Sequence, residues 1–336
     1  MRAARAHAYG PPESIVIEDV PDPEAGPGEV LVAVQAAAIN YPDVLILANQ
    51  YQISAPLPFT PGSEFTGTVV AVGDGVRHVS VGDAVLGSVF VGAFAERMVV
   101  PAASLVSRPT GLDPVHAAAF SVTYRTAYHS LRSVGEAHEG DWVVVLGGAG
   151  GVGTAAIDIA KALGCRVVAA AGGAAKTAVC RDRGADAVID YTTEDLKERI
   201  KEITGGGADI VIDPVGGPAS EAALRACRWG ARFVCVGFAS GEIPRIPLNL
   251  VLLKGVVVKG FEIRTFGMHA PGLAARDERE LFDLVNAGRL QPFVSAVHPL
   301  DDIVAALRSV ADRKTTGKIV ITVGSGQQPG ATSISS

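Results

Sequence analysis

The apolar run Val143-Val144-Val145-Leu146 leads straight into Gly147-Gly148-Ala149-Gly150-Gly151-Val152-Gly153. No other stretch of the chain limits the possible folds as strongly. The order reads as a buried strand, a tight turn and the start of a helix. Gly148, Gly150 and Gly153 satisfy the Gly-x-Gly-x-x-Gly spacing, and Gly151 and Val152 complete the turn. In that spacing the first glycine permits the turn, the second lets backbone approach a phosphate, and the third packs helix on strand. A side chain at Gly150 would fill the phosphate's space. The helix that follows offers unpaired N–H groups and the positive end of its dipole to a pyrophosphate. Alone, the spacing is weak evidence, because a glycine turn can also be kept for packing.

Its context strengthens it. Six short β-branched blocks, at 142–146, 166–170, 187–190, 210–213, 232–236 and 256–260, alternate with Ala-rich or amphipathic stretches at 154–163, 196–203 and 220–227. That pattern predicts an α/β domain with a doubly wound, six-stranded parallel sheet of Rossmann type, covered on both faces.

At 336 residues the chain is too long for one comfortable core and suits two domains, and its 48% hydrophobic content can fill both. A net charge of −6 without a basic run argues against nucleic acid or an anionic membrane as partner. The longest uncharged stretch, 142–157, is broken by glycines, so no membrane span is expected. The opening residues lack the apolar core of a secretion signal, which makes the cytoplasm the expected location. Cys165, Cys180, Cys227 and Cys235 form no Cys-x-x-Cys pair, and no two histidines stand three or four residues apart. Reduced, buried thiols and no protein-built zinc site are the expectation.

The flanks have a different texture. Blocks at 30–37, 67–72 and 84–91 run or alternate apolar between Gly, Pro and Asp punctuation, as in a compact β-rich barrel. Residues 114–134 read as one helix, with Pro114 near its start and Gly135 after it. Helices at 277–287 and 301–312 and a strand at 318–323 would return the chain to the first domain. The small, polar segment 325–336 is expected to be flexible.

Several motifs carry a resemblance. They are Ala38-Ile39-Asn40-Tyr41-Pro42-Asp43, the run from Pro58 through Gly62-Ser63-Glu64 to Gly67, Gly92-Ala93-Phe94-Ala95-Glu96, Gly184-Ala185-Asp186 and Asp213-Pro214-Val215-Gly216-Gly217. Together they resemble the zinc-free quinone oxidoreductase branch of the medium-chain dehydrogenase/reductase superfamily over nearly the whole chain. The resemblance implies a Rossmann domain at 125–263, inserted into a GroES-like catalytic domain formed by 1–124 and 264–324. Zinc enzymes of the superfamily place metal ligands near Asn40, at Ser63 and near Ala118, and none of those ligands is present. Glu64 and Asp43 then read as hydrogen-bonded structural carboxylates.

NADPH is the implied cofactor. After the second strand the sequence Ala171-Gly172-Gly173-Ala174-Ala175-Lys176 offers no acid to repel a 2′-phosphate. Similar reductases set a lysine where Lys176 stands and a tyrosine where Tyr191 stands, with Gly172 at the turn; Lys176 can also be an ordinary solvated residue. For the nicotinamide end the resemblance points to Asn40, Thr126, Val215, Val236, Gly237, Phe238, Phe261 and Ile263. Asn40 and Thr126 can bond the carboxamide or a substrate oxygen, or can equally be satisfied turn and helix residues. Tyr41, Tyr51 and Tyr124 are expected to line the domain cleft, which makes Asn40, Tyr51 and Tyr124 the candidate catalytic residues. The implied reaction is metal-free, NADPH-dependent hydride reduction of a quinone or another electron-poor conjugated carbonyl. A 2-enoyl reductase and a non-catalytic NADPH-binding protein are the alternatives. A homodimer is expected through the apolar edge strand at 255–261.

Overall fold

The computed structural model describes residues 1–324. The expected flexible tail, 325–336, lies outside the described residues. The chain divides into two compact units, one built from 1–108, 297–312 and 320–324, the other from 109–296 and 313–319.

The second unit contains six strands, β1 (Trp142–Leu146), β2 (Arg166–Ala171), β3 (Ala187–Asp190), β4 (Ala208–Asp213), β5 (Cys227–Cys235) and β6 (Val257–Gly260). Their order is β3-β2-β1-β4-β5-β6, and every pairing is parallel. This is the doubly wound arrangement expected from the sequence. Val143, Val144 and Val145 are all fully buried, as are Ile210, Val211 and Ile212, so both sheet faces are covered and the strands read as unbroken apolar runs. Strand β5 begins at Cys227, inside what was expected to be the preceding helix, and a register shift against β4 between Ala208 and Ile210 accommodates the early start.

Eight helices of this unit matter for the site. They are α1 (Thr123–His129), α2 (Gly151–Ala162), α3 (Ala174–Asp182), α4 (Leu196–Thr204), α5 (Gly217–Arg225), α6 (Leu248–Lys254), α7 (Ile263–His269) and α8 (Pro271–Asn286). The single helix expected over 114–134 is divided. A short helix Pro114–Ala118 ends in a turn, α1 follows, and a wide turn Ser130–Val134 closes with Gly135 N donating to Ser130 O at 2.8 Å. Helix α8 also lies in this unit rather than with the first, because it is tied to α1 and the wide turn through Arg125–Glu278, His129–Asp277 and Arg132–Glu280. The compact units therefore part near 108 and 296, where the sequence reading set its boundaries at 124 and 263.

The first unit carries an antiparallel pair, Arg2–Ala6 with Ile15–Asp19. The seven-stranded sheet runs in the order Val294–Pro299, Lys318–Thr322, Glu29–Ile39, Glu64–Val72, Ala84–Ser88 and Leu105–Ser107, and Arg97–Pro101 pairs with the long strand Glu29–Ile39. Val30, Val32 and Val34 alternate inward along that strand, which register shifts bend at two points.

Candidate cofactor and active site

At the end of β1 the glycines divide the labour differently from the sequence reading. The left-handed residue that makes the turn is Gly147, at φ +61°. Gly148 instead serves packing: a Cβ there would lie 2.9 Å from both Ala169 Cβ and Cys180 Sγ. Gly153 must also be bare, since its Cβ would come within 2.2 Å of Gly147 O. Gly150 differs from both. Its backbone is extended (φ −80°, ψ 175°), and a Cβ would meet only Gly147 O at 3.4 Å, so the space above it is open. No side chain caps α2, whose N-terminus starts at Gly151–Val152–Gly153. A helix N-terminus left without a side-chain cap is the kind of place that favours a phosphate. Gly317, far along the chain, forms a parallel bridge with Gly150 and donates its N–H to Ala149 O at 2.7 Å.

A second corner forms after β2. Gly173, at φ +88°, starts α3, and its N–H donates to Asp190 Oδ1 at 2.9 Å. Tyr191 lies so close that a Cβ on Gly172 would approach its Cε2 to 3.1 Å. Lys176 Nζ donates to the carbonyl of Arg313 at 2.9 Å, and Arg313 Nη2 donates to Ser240 O at 2.9 Å. Burial, then the Asp190 carboxylate, pushes the Tyr191 hydroxyl up, while Arg313 acts against the rise. Lys176, Tyr191, Gly172 and Arg313 are thus gathered at one corner. The sequence reading missed Arg313, which follows a helix and belongs to no motif.

Asp213 organises the far side of the turn. Its Oδ1 accepts from Val215 N and Gly216 N, both at 2.9 Å, its Oδ2 from Ser220 Oγ, and its backbone carbonyl from Val236 N at 2.8 Å. Ser240 N in turn donates to Val215 O at 2.8 Å. Val215, Val236, Gly237 and Phe238 are therefore brought together, with Val215 Cγ2 only 2.8 Å from where a Gly147 Cβ would stand. Phe261 is buried after β6, its N–H on Cys235 O at 2.9 Å, and half-buried Ile263 opens α7. Thr126 is buried on α1.

In the first unit, Asn40 caps the helix Tyr41–Leu47. Its N–H donates to Asp43 Oδ2 at 2.7 Å, and its side chain accepts from the Asp43 N–H in return. Asn40 Nδ2 donates to Glu64 Oε1 at 3.1 Å and, at 3.4 Å, to Ser63 Oγ. Asp43 and Glu64, both buried, thus act as hydrogen-bonded structural carboxylates. Tyr51 is half-buried, its ring 6.4 Å from that of Phe90.

Tyr124 is a correction. Rather than facing a cleft it is buried, and its hydroxyl donates to Asp158, which Arg183 also engages, and lies 3.0 Å from Gln291 O. Burial, then the Asp158 charge, holds that hydroxyl well above the ordinary tyrosine range. The four cysteines are free thiols, and burial pushes Cys180, beneath the glycine turn, up to about 11.

Known proteins resemble this chain over most of its length. An alcohol dehydrogenase GroES-like domain model matches residues 26–110, and a zinc-binding dehydrogenase model matches 151–284. A quinone oxidoreductase-like protein 2 homolog of Nematostella vectensis is 37% identical over 325 residues, covering 95% of this chain and 88% of the relative. The chain belongs to the quinone oxidoreductase family of medium-chain dehydrogenase/reductases. Among solved structures, the quinone oxidoreductase of Escherichia coli complexed with NADPH superposes with a TM-score of 0.88 at 28% identity, covering 96% of this chain and 100% of that one. A mycobacterial protein complexed with NADPH gives 0.88 at 32%, covering 96% and 99%. Among the described residues no three His, Cys, Asp or Glu side chains come together in a group that could hold a metal.

Proposed function

We propose that this chain binds NADPH and reduces quinones, or other electron-poor conjugated carbonyls, without a protein-bound metal. The observation that carries the reading is the open space at Gly150, with Lys176, Tyr191 and Arg313 gathered at the adjacent corner. NADPH, when bound, supplies the hydride. The α2 N-terminus and the Gly148–Gly153 backbone hold the pyrophosphate, and Lys176 and Arg313 exchange carbonyl contacts for the 2′-phosphate. Val215, Val236, Gly237, Phe238, Phe261, Ile263 and Thr126 set the nicotinamide end. With both amide hydrogens of Asn40 directed at Glu64 and Ser63, its role is to shape the site, and Tyr51 or water gives the proton. Without a Lewis acid to polarise a simple ketone, acceptors that take hydride unaided are favoured.

The same reading includes a homodimer. Among the described residues strand β6 pairs only with β5, and Val257 and Val258 on it are exposed, as are Leu252 and Leu253 of α6. A second copy pairing along that edge covers both the open hydrogen-bonding groups and the apolar surface. No helix among the described residues is long and apolar enough to cross a membrane.

The test is anaerobic loss of NADPH absorbance against benzoquinones, naphthoquinones, enones and enoyl thioesters. Quinone-dependent oxidation supports the proposal. A response to enoyl thioesters alone replaces it with a 2-enoyl reductase, and cofactor binding without turnover on any acceptor replaces it with a non-catalytic role.

A further inference from the structure

Helix α7 contributes no buried side chain, yet it directly follows Phe261-Glu262 and begins at Ile263, residues placed at the nicotinamide end. It is held by an aromatic cluster. The Phe266 ring lies 4.9 Å from the His129 ring and 5.4 Å from Phe261, and His129 and Phe261 are 6.0 Å apart. Glu262 caps α7 by accepting from Arg264 N at 3.0 Å and Thr265 N at 2.9 Å. The cap, and the bond from Phe266 N to Glu262 O at 2.9 Å, tie Phe266 to the residue that follows Phe261.

His129 is itself fixed from behind. It is buried on α1, with Nδ1 3.0 Å from Oδ2 of the fully buried Asp277. The same carboxylate accepts from Ser133 Oγ, and from Arg276 Nε at 3.0 Å and Nη2 at 2.6 Å. An ionised carboxylate only accepts, so Nδ1 carries the proton and donates, which sets both the tautomer and the ring plane.

We infer that His129 is a positioning residue for hydride transfer: Asp277 orients its ring, and the ring, through Phe266 and Phe261, holds the Phe261-Glu262-Ile263 backbone against the nicotinamide. The inference rests on the NADPH-dependent reading above. It differs from ordinary core packing in its consequence, because reacting atoms about 1 Å out of place cost up to about a hundredfold in rate while cofactor affinity is governed elsewhere. Lys176, Arg313 and the glycine turn lie on other elements and should be indifferent to the cluster.

The experiment compares Phe266→Ala, His129→Ala and the double variant in the full-length chain. Phe266 is half-buried on an otherwise exposed helix, so its truncation keeps the fold even if His129→Ala does not. Readouts are the single-turnover rate of NADPH oxidation by the best quinone, its isotope effect with NADPH deuterated at C4, NADPH affinity, and the fluorescence anisotropy of bound NADPH. Each single variant should lose roughly tenfold in rate and show a larger isotope effect, with affinity held within about twofold and anisotropy lowered. The double variant should be no slower than the slower single, since the two residues act as a unit. Wild-type rate and isotope effect in both single variants, even with a lowered melting temperature, overturn the inference, as do losses that multiply. Wild-type protein that fails to bind NADPH overturns the functional reading instead; if it binds without turnover, unchanged anisotropy in Phe266→Ala overturns the inference.

Discussion

Lys176 Nζ rests on the carbonyl oxygen of Arg313, 2.9 Å away and 137 residues later in the sequence. The contact leaves a lysine ammonium in the first turn of α3, where the helix dipole disfavours a cation, and sets it beside the Arg313 chain and Tyr191. An arriving phosphate outcompetes a neutral carbonyl for it.

Lys176→Ala should therefore raise the dissociation constant for NADPH roughly tenfold or more, the equivalent of one charge-assisted hydrogen bond of about 1.5–3 kcal/mol. Affinity for NADH should not move. Arg313→Gly should act in the same direction while relieving a left-handed backbone at φ +57°. Titration with both cofactors checks this, and equal losses for NADH would contradict it.

Two glycines of the turn should behave oppositely. Gly153→Ala forces a methyl within 2.2 Å of Gly147 O, so the melting temperature should fall, by about 1–3 kcal/mol of stability or more. Gly150→Ala meets nothing closer than 3.4 Å and should fold normally, yet lose NADPH and NADH alike. Thermal melts beside binding titrations separate the two.

The purified chain should have a dimer's mass by light scattering at micromolar concentration. Leu253→Glu together with Val257→Glu, at exposed positions, should give a monomer with unchanged secondary structure. A wild-type monomer mass would count against pairing along β6.

Acid should weaken the α1–α8 contact. Burial alone would raise the Asp277 carboxyl, but the hydrogen bonds from His129, Ser133 and Arg276 outweigh it and bring it below the usual range. A carboxyl depressed in the folded state contributes its stability above its unfolded value, about 3.9, and loses it as pH falls through the lower folded value. Asp277→Asn should flatten the fall in stability below about pH 4, and Asp277→Ala should cost about 1–3 kcal/mol at neutral pH by leaving buried His129 without its acceptor. Urea unfolding across pH measures both.

The six-stranded sheet was legible chiefly from its central strands β1 and β4, local β-branched runs flanked by glycine or aspartate, whose burial on both faces leaves no polar alternation to confuse the reading. The division of residues 114–134 was not legible. Ala119-Phe120-Ser121-Val122 contains neither glycine nor proline, and the turn there is fixed by tertiary partners of Tyr124 and His129. The same limit hid the role of Tyr124, whose hydroxyl partners lie 34 and 167 positions away. Asp43 and Glu64 could be read as structural carboxylates because no metal ligands accompany them in the sequence, whereas the bonds that tie the candidate catalytic residue Asn40 to both depend partly on a strand 24 positions away. Arg313 could have been suspected only from a pair of cations, Arg313-Lys314, directly after a helix.

The bridge between Gly150 and Gly317 sets an order of events during synthesis. Residues 109–296 carry the whole glycine spacing and all six strands, but the segment 313–319 that bonds Ala149 and receives Lys176 is synthesised after them. Long-range closures of this kind come late and slowly. A fragment ending at 296 would display the whole glycine spacing and all six strands and still lack the peptide at 313–319 that braces the turn.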